Sequence, residues 1–317
     1  MTTLCNTLRS KPHTITGIVL LSLLALASTT LFAQTETEDE MEQTTQPATN
    51  YRFTTVNAPG ASATLAYGIN NSGKIAGYFT GGECSKVSDQ ASCGFIDVKG
   101  KFTTVACELE NATDFFDISN ASQVIGAYSF FGGVHGLIWE GNEGCFDIVA
   151  PEGPSLTEAW GVNASGLVVG FYQDSAGSFR GFVYDKGKYT NIECAGWANT
   201  RAFGINDEGI IVGDVSDSTS GSFRGFVYKS EKCTVFNYPK AASTSARGIN
   251  KSDQVSGWYT DTSGKTHGFV KTGSSFVALN NPGATGTLAY HLNDQGQVAG
   301  WYTATNGSVH GFVATPK

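Results

Sequence analysis

The stretch Thr287-Leu288-Ala289-Tyr290-His291-Leu292-Asn293-Asp294-Gln295-Gly296-Gln297-Val298-Ala299-Gly300-Trp301-Tyr302 decides the fold. It follows the pattern Thr-x-Ala-x-Gly-Ile-Asn-x-x-Gly-x-Val-x-Gly-x-Tyr, with His291 and Leu292 in place of Gly-Ile, and the pattern recurs five times upstream. The anchor position falls at Gly68, Asp117, Gly161, Gly204, Gly248 and His291, so the steps are 49, 44, 43, 44 and 43 residues. Self-similarity at that period is the signature of a repeat architecture.

Each copy holds four short β-type runs divided by turn residues, as in Ala159–Val162, Leu167–Tyr172, Phe179–Tyr184 and Lys188–Ile192. The first turn is Asn163-Ala164-Ser165-Gly166, matched by Asn70 to Gly73, Asn206 to Gly209 and Asn293 to Gly296. Asparagine folds its side chain onto its own backbone and glycine accepts positive φ, as a tight hairpin requires. No run has a helical period. The domain is therefore expected to be all-β, and four strands per repeat of this length is the spacing of a β-propeller blade. The sixth copy stops after Gly311-Phe312-Val313, one strand short, and a lone strand, Phe53-Thr54-Thr55-Val56, precedes the first copy. If that strand completes the last blade, a six-bladed β-propeller closes without a free sheet edge.

Copies built on Gly-Ile-Asn-x-x-Gly-x-Val-x-Gly, then His-Gly-Phe, then Phe-Thr-Thr-Leu, resemble the HAF-type extracellular repeat family of bacteria over residues 51–317. The chain departs from it at Asp117-Ile118-Ser119, at His291-Leu292-Asn293, at Cys93, Arg180 and Arg224 where histidine would stand, and at Leu137 for phenylalanine. The resemblance implies an exported repeat protein and carries over no catalytic signature or cofactor.

Residues 1–33 have the layout of a secretory signal: Arg9 and Lys11, then the apolar Ile18–Leu26, then small residues up to a cut after Ala33. Residues 34–50 hold Glu36, Glu38, Asp39, Glu40 and Glu42 among threonine and glutamine, the composition of a disordered tether. Residues 51–317 form the propeller. Without signal and tether, 18 Lys and Arg face 23 Asp and Glu, a net charge of −5 that argues against nucleic acid as a partner. Six cysteines remain once Cys5 leaves, an even set that in an exported chain reads as three disulfides. Cys84 and Cys93 flank an insertion in copy one and are expected to close it. Repeat symmetry suggests Cys107 with Cys145 and Cys194 with Cys233, unless strand alternation sets them on opposite faces beyond disulfide reach.

Two positions of the first strand vary between copies. One reads Leu65, Asp114, Glu158, Arg201, Ser245, Leu288, and the other Tyr67, Phe116, Trp160, Phe203, Arg247, Tyr290. Alternation puts both on one side of the strand. The structural reading packs the aromatics on the neighbouring blade. The functional reading makes Asp114, Glu158, Arg201 and Arg247 a polar arc at a channel mouth rimmed by Tyr67, Trp160 and Tyr290, suited to a sugar or a peptide carboxylate. Asp114 and Glu158 also raise a glycosidase reading, which needs carboxyl groups about 5–9.5 Å apart. His135, His267 and His310 fall at one third-strand position, where blade radius keeps them apart, so they read as hydrogen-bonding struts and no metal is expected. The function expected is a monomeric, non-enzymatic binding or adhesion module for a glycan or protein, secreted, periplasmic or at the cell surface, and inserted in no membrane. A glycan-active hydrolase or lyase and a structural envelope scaffold are the alternatives.

Overall fold

Alternating short apolar runs and Asn-Gly turns give each repeat its antiparallel strands, and the first strand of every unit lies against the first strands of its neighbours. These first strands are Ala61–Ile69, Thr113–Ile118, Thr157–Val162, Asn199–Ile205, Ser243–Ile249 and Ala284–Leu292. The computed structural model describes residues 45–46, 50–87, 91–107, 112–130, 132–153, 155–217 and 221–317. The signal sequence with its cut after Ala33, and the acidic run Glu36–Glu42, lie outside the described residues. Two short helical turns interrupt the strands, Cys84–Val87 inside the copy-one insertion and Gly141–Glu143.

Units two, three and four are separate four-stranded antiparallel sheets. Unit five is a fourth such sheet, to whose last strand, Ser275–Leu279, the pair Thr45–Gln46 adds in parallel. The strands of units six and one share one eight-stranded sheet. The arrangement is all-β and propeller-like, but six separate sheets were expected and hydrogen bonding delivers five. The cause is a single parallel pair, Val309 with Ala63. Equivalent parallel contacts, Ser92 with Ala112 and Val134 with Leu156, stay isolated bridges because the strands there are shorter.

The expected closure is present. Tyr51–Val56 runs antiparallel to Val309–Pro316, with Phe53 opposite Ala314, Thr54 opposite Val313, Thr55 opposite Phe312 and Val56 opposite Gly311. A repeated latch treats this strand like every other fourth strand. The threonine that opens each motif accepts the backbone N–H of the loop before it: Thr64 from Ala58, Thr113 from Cys107, Thr157 from Ala150, Thr200 from Cys194, Thr244 from Tyr238 and Thr287 from Asn281, at 2.9–3.3 Å. All six threonines are buried, so each latch satisfies a donor that water cannot reach.

Phe95, Phe182, Phe226, Phe269 and Phe312, with Leu137 in unit two, are fully buried at the residue after the third-strand glycine and form the repeating core between units. The three disulfides are those expected: Cys84–Cys93, Cys107–Cys145 and Cys194–Cys233, with Cα–Cα separations of 5.5, 6.0 and 5.5 Å. The second ties unit one to unit two and the third ties unit three to unit four, outer strand to outer strand.

A chain starting at Asn57 should lose the six backbone pairs on Val309–Pro316 and bare a sheet edge, so it should aggregate on size exclusion where a chain starting at Asn50 stays monodisperse. Replacing Cys194 and Cys233 by serine removes a 39-residue cross-link. In a denaturant titration it should lower stability by about 4 kcal/mol.

Candidate functional site

A β-bulge in every first strand sets the geometry of the axis. Register shifts between Ala66 and Gly68, Phe115 and Asp117, Ala159 and Gly161, Ala202 and Gly204, Ala246 and Gly248, and Ala289 and Leu292. The extra residue is Tyr67, Phe116, Trp160, Phe203, Arg247 or Tyr290, and a bulge re-aims the side chain it carries. The same kink presses the carbonyl oxygen two residues earlier onto the second strand, which must carry glycine there. A Cβ on Gly126 would lie 1.9 Å from the Asp114 oxygen, and one on Gly213 1.9 Å from that of Arg201.

The re-aimed side chains fill the axis. Tyr67 and Tyr290 are 4.2 Å apart between ring centroids, Phe116 stacks on Trp160 at 4.0 Å, and Trp160 meets Phe203 edge-on at 5.1 Å. The Arg247 guanidinium sits 3.7 Å from the Phe203 centroid and 5.2 Å from that of Trp160. All six residues are buried, so Tyr67, Trp160 and Tyr290 form a plug across the axis and do not rim its mouth. Burial raises the Tyr67 phenol well above its ordinary value and lowers that of the Arg247 guanidinium.

Above the plug the other variable position opens as a half-buried mouth. Asp114 accepts the Ser92 hydroxyl at 2.6 Å, and Glu158 accepts the Trp160 indole N–H at 2.7 Å. Burial pushes Asp114 up to about 7; the Ser92 hydrogen bond opposes this and the charge of Glu158 adds to it. Burial also raises Glu158, against the Trp160 hydrogen bond and the charges of Arg201 and Arg247. The two arginines of the polar arc are held by the scaffold. Arg201 forms a two-pronged pair with the buried Asp214 at 2.8 and 3.1 Å, and Ser245 donates to the same carboxylate at 2.7 Å. Arg201 also lies 4.6–5.9 Å from the rings of Phe171, Phe179, Phe203 and Phe223.

Residues on the second strands complete the mouth: Tyr78 opposite Leu65, Phe171 opposite Glu158, Asp214 opposite Arg201, Trp258 opposite Ser245 and Trp301 opposite Leu288. Sequence reasoning missed them, although the motif marks them as the variable residue directly after each second-strand glycine. The indole N–H groups of Trp258 and Trp301 are buried without a hydrogen-bond acceptor among the described residues.

At the opposite end of the axis the Asn turns line a cavity, whose walls include Asn71, Asn120, Asp207 and Asp294. Beneath them Asp117 and His291, the two anchor positions that are not glycine, meet at 3.5 Å. Asp117 also accepts the Val162 N–H at 3.0 Å. The third-strand residues stay at the periphery as struts. His267 contacts Asn280 at 2.8 Å and Asp261 at 3.0 Å, His310 contacts Asn57 at 3.0 Å, and Arg180 donates to Asp174 at 2.9 Å. Among the described residues no cluster of three metal-ligating side chains occurs.

No protein-family model matches the chain, and no curated protein sequence does either. Several solved structures share the fold. A mutant of the Aleuria aurantia lectin in complex with Fucα1-6GlcNAc aligns at 12% identity over 82% of this chain and 93% of its own, with a TM-score of 0.50. TolB from Acinetobacter baumannii aligns at 11% identity and a TM-score of 0.51, over 77% of this chain and 64% of its own, so this chain spans less than two thirds of that protein. Virginiamycin B lyase from Staphylococcus aureus, with quinupristin, aligns at 14% identity over 83% and 88%, with a TM-score of 0.46. At these identities the likeness concerns fold alone.

An acid raised in the folded state binds its proton more tightly there than in the unfolded chain, so folding stability falls as pH climbs from about 4 to about 7. Asp114→Asn should remove that slope and raise the melting temperature at pH 8, as thermal melts across pH 4–8 would register. Arg201→Ala leaves the buried Asp214 without its cation. It should cost about 3–5 kcal/mol of stability by denaturant titration.

Proposed function

We propose that this chain is an exported, six-unit propeller-like binding module that takes a glycan at the mouth around Asp114 and Glu158. In this reading the eight-stranded sheet serves as two blades, units six and one, joined at Val309 and Ala63. Three disulfides support an oxidising, extracytoplasmic location, as does the resemblance of the repeats to exported HAF-type proteins. Among the described residues no helix is long and apolar enough to cross a membrane.

One observation carries the reading. Two half-buried carboxylates, Asp114 and Glu158, each accept a single side-chain hydrogen bond among the described residues, on first strands whose equivalents pair Leu65 with Tyr78, Ser245 with Trp258 and Leu288 with Trp301. Apolar walls with a few convergent polar groups are the usual make-up of a small-molecule or sugar site. The aromatic plug gives the site a rigid floor, so little ordering is left to oppose binding.

An enzymatic reading has one specific support: Asp114, raised to about 7, stands beside a second carboxylate, as an acid and its partner would. Release of reducing ends from a bound glycan would decide for it.

The test is glycan-array screening followed by calorimetry on the wild type and on Asp114→Asn and Glu158→Gln, each checked for an unchanged fold by circular dichroism. Each variant should weaken binding by about tenfold or more; affinity unchanged in both would refute the mouth as the site.

A further inference from the structure

The strut on the third strand of unit six differs from its counterpart in unit five, and the difference leaves a serine against the imidazole. In unit five both ring nitrogens of His267 are taken by the scaffold, Nδ1 by the Asn280 amide oxygen at 2.8 Å and Nε2 by the Asp261 carboxylate at 3.0 Å. Asp261 opens the turn before the third strand, where its N–H donates to the Lys265 carbonyl. The same place in unit six belongs to Ala304, whose N–H donates to the Ser308 carbonyl. The carboxylate is therefore gone, and a serine stands where unit five has lysine. Ser308 lies two residues before His310 on extended backbone, which sets both side chains on one face.

Ser308 Oγ is 2.7 Å from His310 Nε2, and His310 Nδ1 is 3.0 Å from Asn57 Oδ1. An amide oxygen only accepts, so Nδ1 carries the proton and Nε2 presents its lone pair to Ser308. Ser308 Oγ also lies 2.7 Å from Asn306 Oδ1. One hydroxyl proton cannot serve both, and an imidazole nitrogen is a far stronger base than an amide oxygen. The proton therefore points at His310. A nucleophile within hydrogen-bond reach of a base that a third group orients is the arrangement that activates serine. Ser178 and Ser222 hold the equivalent place in units three and four, but they precede Arg180 and Arg224; His135 and His267 follow Gly133 and Lys265. Unit six alone joins the serine to the histidine. The pair is reachable, since Ser308 and His310 are half-buried and Asn57, Thr305, Asn306 and Gly307 beside them are exposed. The backbone N–H groups of Thr305 and Asn306 in the same turn have no hydrogen-bond partner among the described residues, and donors of that kind stabilise an acyl oxyanion.

We propose that Ser308 is a nucleophile for acyl transfer from small acyl esters, with His310 as its general base and Asn57 as the positioning residue. This site lies at the periphery of unit six and uses no residue of the axial mouth. The Ser308 oxygen bonds to the ester carbonyl carbon while its proton passes to His310 Nε2. The bond from that carbon to the alcohol oxygen then breaks, and the alcohol leaves with the proton. Water, deprotonated by His310, cleaves the acyl-serine, releasing the acid and restoring the hydroxyl. An open turn grips little of the carrier, so the acyl group decides reactivity.

The experiment treats the full folded chain with a fluorophosphonate, from whose phosphorus the serine displaces fluoride, and maps the adduct by peptide mass spectrometry. One adduct is expected, at Ser308, and Ser308→Ala should take none. His310→Gln should slow labelling by about a hundredfold or more. Ser178→Ala, at the equivalent place beside Arg180, should leave the rate within about twofold. Asn57→Ala should slow labelling, and Asn57→Asp, which keeps an acceptor for Nδ1–H, should restore it. With p-nitrophenyl acetate the wild type should release a burst of about one equivalent of p-nitrophenol, absent in Ser308→Ala. No adduct on the wild type, an adduct elsewhere in place of Ser308, or labelling that His310→Gln leaves unchanged would overturn the inference. Failure of Asn57→Asp to restore what Asn57→Ala loses would remove Asn57 from the mechanism. The wild-type map alone decides whether Ser308 reacts, so a variant that failed to fold would not shield the inference.

Discussion

One side chain, repeated around the axis, holds the molecule in a circle. The Oδ1 of Asn70 accepts from Ser72 and Lys74 and so fixes its own turn, while its Nδ2 donates to the Ser119 carbonyl of the next unit at 3.2 Å. Asn163 donates in the same way to Asn206, Asn206 to Asn250, Asn250 to Asn293, and Asn293 back to Asn70, at 3.1–3.2 Å. All five asparagines are buried. Each link therefore satisfies a donor and a carbonyl that water cannot reach, and breaking one costs the desolvation of both. The last link spans 223 residues of sequence. It makes closure a property of the inner ring as well as of the Tyr51–Val56 strand at the rim.

The circle has one gap, and the two departures from the anchor glycine explain how it is bridged. Ser119 replaces asparagine in unit two and has no amide to extend toward unit three. Asp117, two residues earlier, supplies the link by accepting the Val162 N–H. Elsewhere the anchor glycine lets neighbouring inner strands touch: a Cβ on Gly68 would lie 2.7 Å from the Asp117 Cα, and one on Gly248 2.7 Å from the His291 Cα. Asp117 and His291 turn their side chains toward each other beneath the turns; burial lowers the His291 imidazole and raises the Asp117 carboxyl, and each opposes the shift of the other. The substitutions that look irregular in the sequence are thus a matched pair in the structure.

Much of this was legible because each repeat position answers to a local rule. Asn-x-x-Gly specified the hairpin, the missing last strand pointed to closure by Phe53–Val56, and repeat symmetry suggested Cys107–Cys145 and Cys194–Cys233, which strand alternation alone left open. What escaped depends on strand geometry that alternation alone does not predict. The first-strand bulge turns Tyr67, Trp160 and Tyr290 into the axis, where a regular strand would have left them beside Leu65, Glu158 and Leu288. The count of separate sheets was missed because a single backbone bridge, Val309 to Ala63, merges two units. The roles of Arg201 and Asp214 were hidden because their pairing runs across two strands, and each residue was read only against its own column of the repeat.

The bulge also accounts for where variation is tolerated. It fixes three things at once: a space-filling residue on the axis, a close-approach glycine on the second strand, and a carbonyl pressed between them. None of these can change without repacking a neighbouring unit. The side chains that flank this fixed layer, Leu65 to Leu288 on first strands and Tyr78 to Trp301 on second strands, differ from unit to unit and make unit-specific contacts, as Arg201 and Ser245 do with Asp214 and Tyr78 does with Tyr67. They run from leucine through carboxylate and arginine to tryptophan. The propeller-like arrangement thus combines one layer that repeats in every unit with one that varies, and part of the variation, the Arg201–Asp214 pair, is itself structural.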